Sequence, residues 1–125
     1  CQMRHYEKHA PGLLKTLKDN YWHRSIGTQQ KIVVIKSTVP PGTCILLDNC
    51  CQNISVVFNP EFLTEANFID DFKNQKRIIV GGSRPASTKV KNIFRKAFPQ
   101  TPIIKTSSTV AECVKYFTNI RICIV

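Results

Sequence analysis

The stretch Lys31-Ile32-Val33-Val34-Ile35-Lys36-Ser37-Thr38-Val39-Pro40-Pro41-Gly42-Thr43 passes directly from a β-branched apolar run into hydroxyl side chains and a rigid turn. β-Branched residues favour extended backbone, while the two prolines fix φ and withdraw two amide donors, so the spacing predicts a strand over 31–36 that ends before them. Three further runs share this character: Ile54 to Phe58, Arg77 to Val80 and Pro102 to Lys105. Several lack the alternation of a half-exposed strand, which suits a sheet covered on both faces.

Helical patterns separate these runs. From Pro85 onward, Val90, Ile93, Phe94, Ala97 and Phe98 follow the spacing of one apolar stripe, and Lys89, Lys91, Arg95 and Lys96 fall on the other side. Leu13, Leu14 and Leu17 suggest a helix before the first strand, and Cys44 to Leu47 another after it. The alternation predicts an α/β layered fold with a mainly parallel sheet and flanking helices, whose ligands gather at the carboxyl ends of the strands.

With 125 residues, 42% hydrophobic and 21% charged, the chain is long enough for one globular domain and too short for a two-domain enzyme. It opens on Cys1 and stops in the apolar stretch Ile120 to Val125, so an interior piece of a longer protein is expected. No apolar run approaches the roughly 20 residues that cross a bilayer, and the first residues lack a signal-peptide core, which leads to the expectation of a cytoplasmic protein without membrane contact. The six cysteines include the adjacent Cys50 and Cys51 and show no framework spacing, so reduced thiols are expected. His5, His9 and His23 lie near the start, away from most of the cysteines, and no zinc or other metal site is expected. The net charge of +10 raises a basic nucleic-acid-binding module as a rival reading, and a folded but non-catalytic α/β fragment as another. The basic residues, Lys15, Lys18 and the 89–96 group among them, are scattered and form no nucleic-acid-binding motif, so no nucleic-acid partner is expected.

Three segments carry polar chemistry. Ser37 and Thr38 can hydrogen-bond a ligand at a strand end, or simply belong to the turn. In Asn59-Pro60-Glu61-Phe62-Leu63-Thr64-Glu65, Asn59 suits an N-cap and Pro60 the first helical position, which would set Glu61 and Glu65 on one helical face, as acid/base and polar ligand or as helix-start stabilisers. Thr109-Val110-Ala111-Glu112 has the pattern of a capping box and gives Glu112 a structural role. Lys115 and Asn119, four apart on the helix that follows, present an ammonium and an amide that can steady an oxyanion or face solvent.

In combination and order, KSTVPPGT, FNPEFLTEANFIDDFKNQKRIIVGG and TVAECVKYFTN resemble the UDP-glucose/GDP-mannose dehydrogenase family over roughly residues 31 to 119. Ala66 departs from the pattern, standing where the family has glycine. The resemblance implies the later part of a Rossmann-like, doubly wound NAD-binding domain over 1–108, and over 109–125 the start of a central helix through which family members dimerise. It implies NAD as cofactor and a nucleotide sugar, UDP-glucose foremost, whose C6 alcohol is oxidised to a carboxylate by two successive hydride transfers by way of a cysteine thioester. By position, Glu61 resembles the acid/base residue of thioester hydrolysis, and Lys115 and Asn119 the oxyanion-stabilising pair. Ser37, Thr38, Val39 and Glu65 resemble NAD contacts, and Glu61, Phe62, Leu63, Thr64, Glu65, Lys115 and Asn119 the substrate site. The G-x-G-x-x-G turn and the family's glycine-flanked cysteine do not occur in the sequence, so the chain alone is expected to be inactive.

Overall fold

The computed structural model describes residues 30–51 and 53–124, with side chains up to residue 120. The helix expected around Leu13 to Leu17, Lys15 and Lys18, the three histidines and the Cys123 side chain lie outside the described residues.

The elements alternate as β1 (Lys31–Ile35), α1 (Thr43–Cys50), β2 (Ile54–Phe58), α2 (Phe68–Lys73), β3 (Ile78–Gly81), α3 (Ala86–Ala97), β4 (Ile103–Thr106) and α4 (Ser108–Ile124). All four expected strands form: β2 with the expected bounds, β1 one residue shorter at its end, and β3 and β4 each displaced by one residue along the chain. The four strands make one sheet in the order β1-β2-β3-β4. β1 pairs with β2 in parallel from Lys31 opposite Ile54 to Ile35 opposite Phe58, and β3 with β4 in parallel from Ile78 opposite Ile103 to Gly81 opposite Thr106. Between the two halves the direction reverses: β2 meets β3 antiparallel at Phe58 opposite Gly81. The sheet is therefore mixed: Ile35, Phe58, Gly81 and Thr106, the last residues of the four strands, lie opposite one another in one row, which β3 and β4 approach from the other direction.

The central strands β2 and β3 are buried along most of their length, whereas the outer strands leave Val34 and Ile104 exposed. On one face Val57, Ile78 and Val80 pack with Ala86 and Val90 of α3, edged by Ile32, Phe94, Phe98 and Ile103. Each fully buried side chain of this size contributes roughly 1.5–3 kcal/mol relative to exposure. The stripe expected on α3 is narrower than its spacing suggested, because Ile93 is 66% exposed and Ala97 also faces out. On the opposite face α1 buries Thr43, Cys44 and Leu47, and α4 packs against β3, β2 and α1.

The approach of α4 to the sheet is set by Gly81. A Cβ there would lie 2.6 Å from the Ala111 Cβ and 2.9 Å from the Ser107 carbonyl oxygen, closer than nonbonded atoms allow. Gly81→Ala is expected to push α4 off β3 and lower stability by about 1–3 kcal/mol. Urea unfolding measures this, and an unshifted midpoint would show that the helix has room to spare.

Candidate functional site

The carboxyl ends of β1 and β2 lie side by side because the two strands are parallel and in register. Beyond β1, Lys36 is half-buried, Ser37 and Thr38 are exposed, and Val39 turns inward to 5% exposure. The turn closes when Pro40 accepts hydrogen bonds from the Thr43 amide and hydroxyl, and Gly42 takes the positive φ of 93° that starts α1. Only glycine adopts such a φ freely.

Beyond β2 the chain does not enter a helix. Residues 59–64 are irregular, 65–67 bend, and the helix starts only at Phe68, so Asn59 is not an N-cap and Glu61 and Glu65 share no helical face. The physical reason is what Asn59 does instead. At 3% exposure, its amide nitrogen donates to the Ile79 carbonyl at 2.8 Å, its side-chain oxygen accepts from the Lys36 ammonium at 2.8 Å, and its backbone N–H donates to Ile35. A side chain engaged with two neighbouring strands has nothing left to cap a helix. Glu61 is placed at the strand end, its carboxylate 3.7 Å from the Lys36 ammonium, while Glu65 is exposed on the bend.

α4 brings the second half of the site. Its first turn is capped by Ser107, whose hydroxyl oxygen accepts from the Val110 amide at 3.2 Å, and Thr109 already lies inside the helix. The expected capping box is therefore absent. Glu112 is fully buried and reaches away, its two carboxylate oxygens accepting from the Gly42 amide at 2.6 Å and the Cys44 amide at 2.8 Å. These are orphan donors at the start of α1, which has no side-chain cap of its own. The carboxylate occupies the place an anionic ligand would take, so this helix start is closed to a phosphate.

One turn beyond Glu112, Lys115 donates from its ammonium to the Glu61 carbonyl; two turns beyond, the Asn119 amide lies 3.3 Å from the Thr38 hydroxyl. The expected pair thus meets the strand-end residues expected beside it. Lys115 also lies 5.2 Å from the centre of the Phe62 ring, and the Arg77 guanidinium 5.7 Å from the same ring. Phe62, Leu63 and Thr64 line a cavity of about 510 Å³ together with Asp70, Asp71 and Arg77. Thr64 is held there by donating from its amide and its hydroxyl to the Asp71 carboxylate at 3.0 and 2.6 Å, which keeps that carboxyl below the ordinary aspartate range.

Lys36 is the residue that sequence reasoning passed over. It stands in the quoted strand-to-turn stretch, but only the fold shows its ammonium bonded to Asn59, near Glu61 and 5.7 Å from the centre of the Phe94 ring. The described cysteines are free, and burial pushes the thiols of Cys44 and Cys51 up, so neither is a ready nucleophile. Among the described residues, no group of three or more His, Cys, Asp and Glu could hold a metal ion, and no helix is long and apolar enough to cross a membrane.

A layered α/β domain with polar side chains gathered at adjacent strand ends defines the class: a Rossmann-like nucleotide-binding domain. The chain belongs to the UDP-glucose/GDP-mannose dehydrogenase family, whose NAD binding domain matches residues 20–98. UDP-glucose 6-dehydrogenase TuaD of Bacillus subtilis is 36% identical over 96 residues, covering 71% of this chain and 21% of that protein. UDP-glucose 6-dehydrogenase of Rhizobium meliloti is 38% identical over 98 residues, covering 70% and 22%. The crystal structure of GDP-mannose dehydrogenase from Pseudomonas aeruginosa superposes with a TM-score of 0.73 at 25% identity, over 90% of this chain and 28% of that one. The chain spans about a fifth of the length of the curated relatives it matches.

Burial lowers the pKa of Lys115, with the Glu61 charge acting the other way. The folded protein therefore holds this proton less tightly than the unfolded chain, so the group opposes folding at neutral pH. That penalty fades as pH rises through the folded value toward the ordinary lysine value of 10.5. Lys115→Met is expected to show a smaller gain in stability across the alkaline range below that value, measured by urea unfolding against the parent; parallel pH profiles would exclude the effect.

Proposed function

We propose that this chain is the later part of the NAD-binding domain of a nucleotide-sugar 6-dehydrogenase, which converts UDP-glucose to UDP-glucuronate. The observation that carries the reading is the convergence of Lys115 with Glu61 and of Asn119 with Thr38, residues drawn from three separate segments onto one edge of the sheet.

The exposed hydroxyls of Ser37 and Thr38 fit the polar edge of a dinucleotide at the carboxyl end of β1, with Glu65 nearby in sequence to the substrate loop. Val39 contributes its backbone there, since its side chain belongs to the core. NAD, when bound, supplies the hydride acceptor for each oxidation. The protein's own groups bind, orient and move protons. Glu61, partly exposed and paired with Lys36, acts as acid/base toward the water that hydrolyses the thioester. Lys115 and Asn119 donate toward the oxygen that gains charge as the sugar carbon becomes tetrahedral, and the partial burial of the ammonium strengthens that donation by excluding competing water. Phe62, Leu63 and Thr64 line the substrate side. The thioester cysteine has no counterpart among the described residues.

The net oxidation consumes one water and yields two reduced cofactors per carboxylate formed, a ratio that separates it from a single-step alcohol dehydrogenase. We place the reaction in the cytoplasm, where nucleotide sugars and NAD are both drawn on. Tyr116, Phe117 and Ile120 leave an apolar surface on α4, Phe117 at 70% exposure, which suits a homo-oligomer formed through this helix.

In the full-length protein carrying this chain, Glu61→Gln and Lys115→Ala are each expected to lower kcat by 100-fold or more, on the order expected for loss of a general base or an oxyanion donor. NADH formation and UDP-glucuronate are quantified together. Turnover at the parental rate in both variants would sink the assigned roles, and a ratio of one NADH per product would sink the reaction.

A further inference from the structure

Hydrophobic packing leaves a helix some freedom to roll, because apolar contact is not directional. A side-chain tip on a helix 10–12 Å across lies roughly 5–6 Å from the axis, so a roll of about 20° moves it by about 2 Å. That is enough to break a hydrogen bond such as the one from Asn119 to Thr38, already 3.3 Å long. Something must hold the rotation of α4. The Ala111 contact on Gly81 sets how near the helix lies, and it is apolar.

Glu112 supplies fixed points. Its carboxylate is bound to two backbone amides, Gly42 and Cys44, whose positions are dictated by the turn and by the start of α1. Lys115 and Asn119 follow at i+3 and i+7, on the same side of the helix as Glu112. Gly42 lies four residues past Thr38, so the contact ties α4 to the very turn that carries the Asn119 partner. No other buried acidic side chain is found among the described residues.

We propose that Glu112 is a positioning residue: by gripping the start of α1 it fixes the roll of α4, and thereby aims Lys115 at the Glu61 segment and Asn119 at Thr38. This rests on the reading of Lys115 and Asn119 as the oxyanion-stabilising pair. Glu112 touches neither of them and acts through the helix.

The test uses the full-length protein carrying this chain, isotopically labelled, in Glu112→Gln, which keeps the shape but turns one acceptor into a donor facing a backbone N–H. Ser107→Ala is the control, removing the hydroxyl cap of the same helix and leaving Glu112 in place. Nuclear Overhauser contacts between the Asn119 side-chain amide and the Thr38 methyl, and between Lys115 and the Glu61–Phe62 backbone, are read well below each variant's melting temperature. The expected result is loss of both contacts in Glu112→Gln and their retention in Ser107→Ala. Retention in Glu112→Gln overturns the proposal, and so does loss in both variants, which would mark general loosening of α4. Should Glu112→Gln fail to fold, Glu112→Asp, which keeps the charge but cannot span both amides, is read by the same criterion. The readout is a contact and not turnover, so it can fail while the kinetic assignment stands, and the reverse.

Discussion

A glutamate near the end of the chain completes a helix that begins some seventy residues earlier, and the geometry of the site depends on that reach. The start of α1 would otherwise leave buried amide donors without acceptors, a cost of about 1–3 kcal/mol for each group. With Glu112 in place those donors are satisfied, β1 is joined to α4 through the Pro40–Gly42 turn, and the segments that carry Thr38 and Asn119 are bonded to each other. Gly81 adds the second condition, letting the helix lie directly on β3. A grip without close approach would leave Lys115 short of the Glu61 carbonyl, and close approach without the grip would leave it unaimed.

The two halves of the sheet serve different ends. The parallel pair β1 and β2 delivers Lys36, Ser37, Thr38 and Glu61 to one edge, while β3 and β4 run the other way, enter the core with α3, and lead into α4. Lys105 donates to Thr88, and the charges of Arg84 and Lys91 act on it in addition to its own desolvation, which lowers its pKa.

Strands were legible because four dense β-branched runs stand between turn residues, and that signal is local. Lys115 and Asn119 were legible as a pair because their spacing fixes one helical face whatever surrounds it. The helix expected at Pro60 was not, since Asn-Pro-Glu is as good a helix start as the sequence offers and only the neighbouring strand shows that the Asn59 amide is already committed to Ile79. Glu112 was misread for the same reason: its pattern with Thr109 is locally complete, and its true partners lie 70 and 68 residues away. Lys36 was quoted and passed over because a lysine ending a strand is ordinary until Asn59 and Glu61 are placed beside it. What failed in each case was inference from near neighbours about a polar side chain whose bonds are made across the fold.

Asn59 also explains how a strand can stop without fraying. Its carboxamide stands in for the next rung of the ladder, meeting the Ile79 carbonyl where a main-chain amide would have been needed. A rung made by a side chain frees the backbone from the plane of the sheet, so the chain can swing out at Pro60 immediately, with no extra paired residue. Glu61 is thereby delivered at the lip of the sheet on a short, stiff stem, closer to a bracket bolted to a wall than to the tip of a loop.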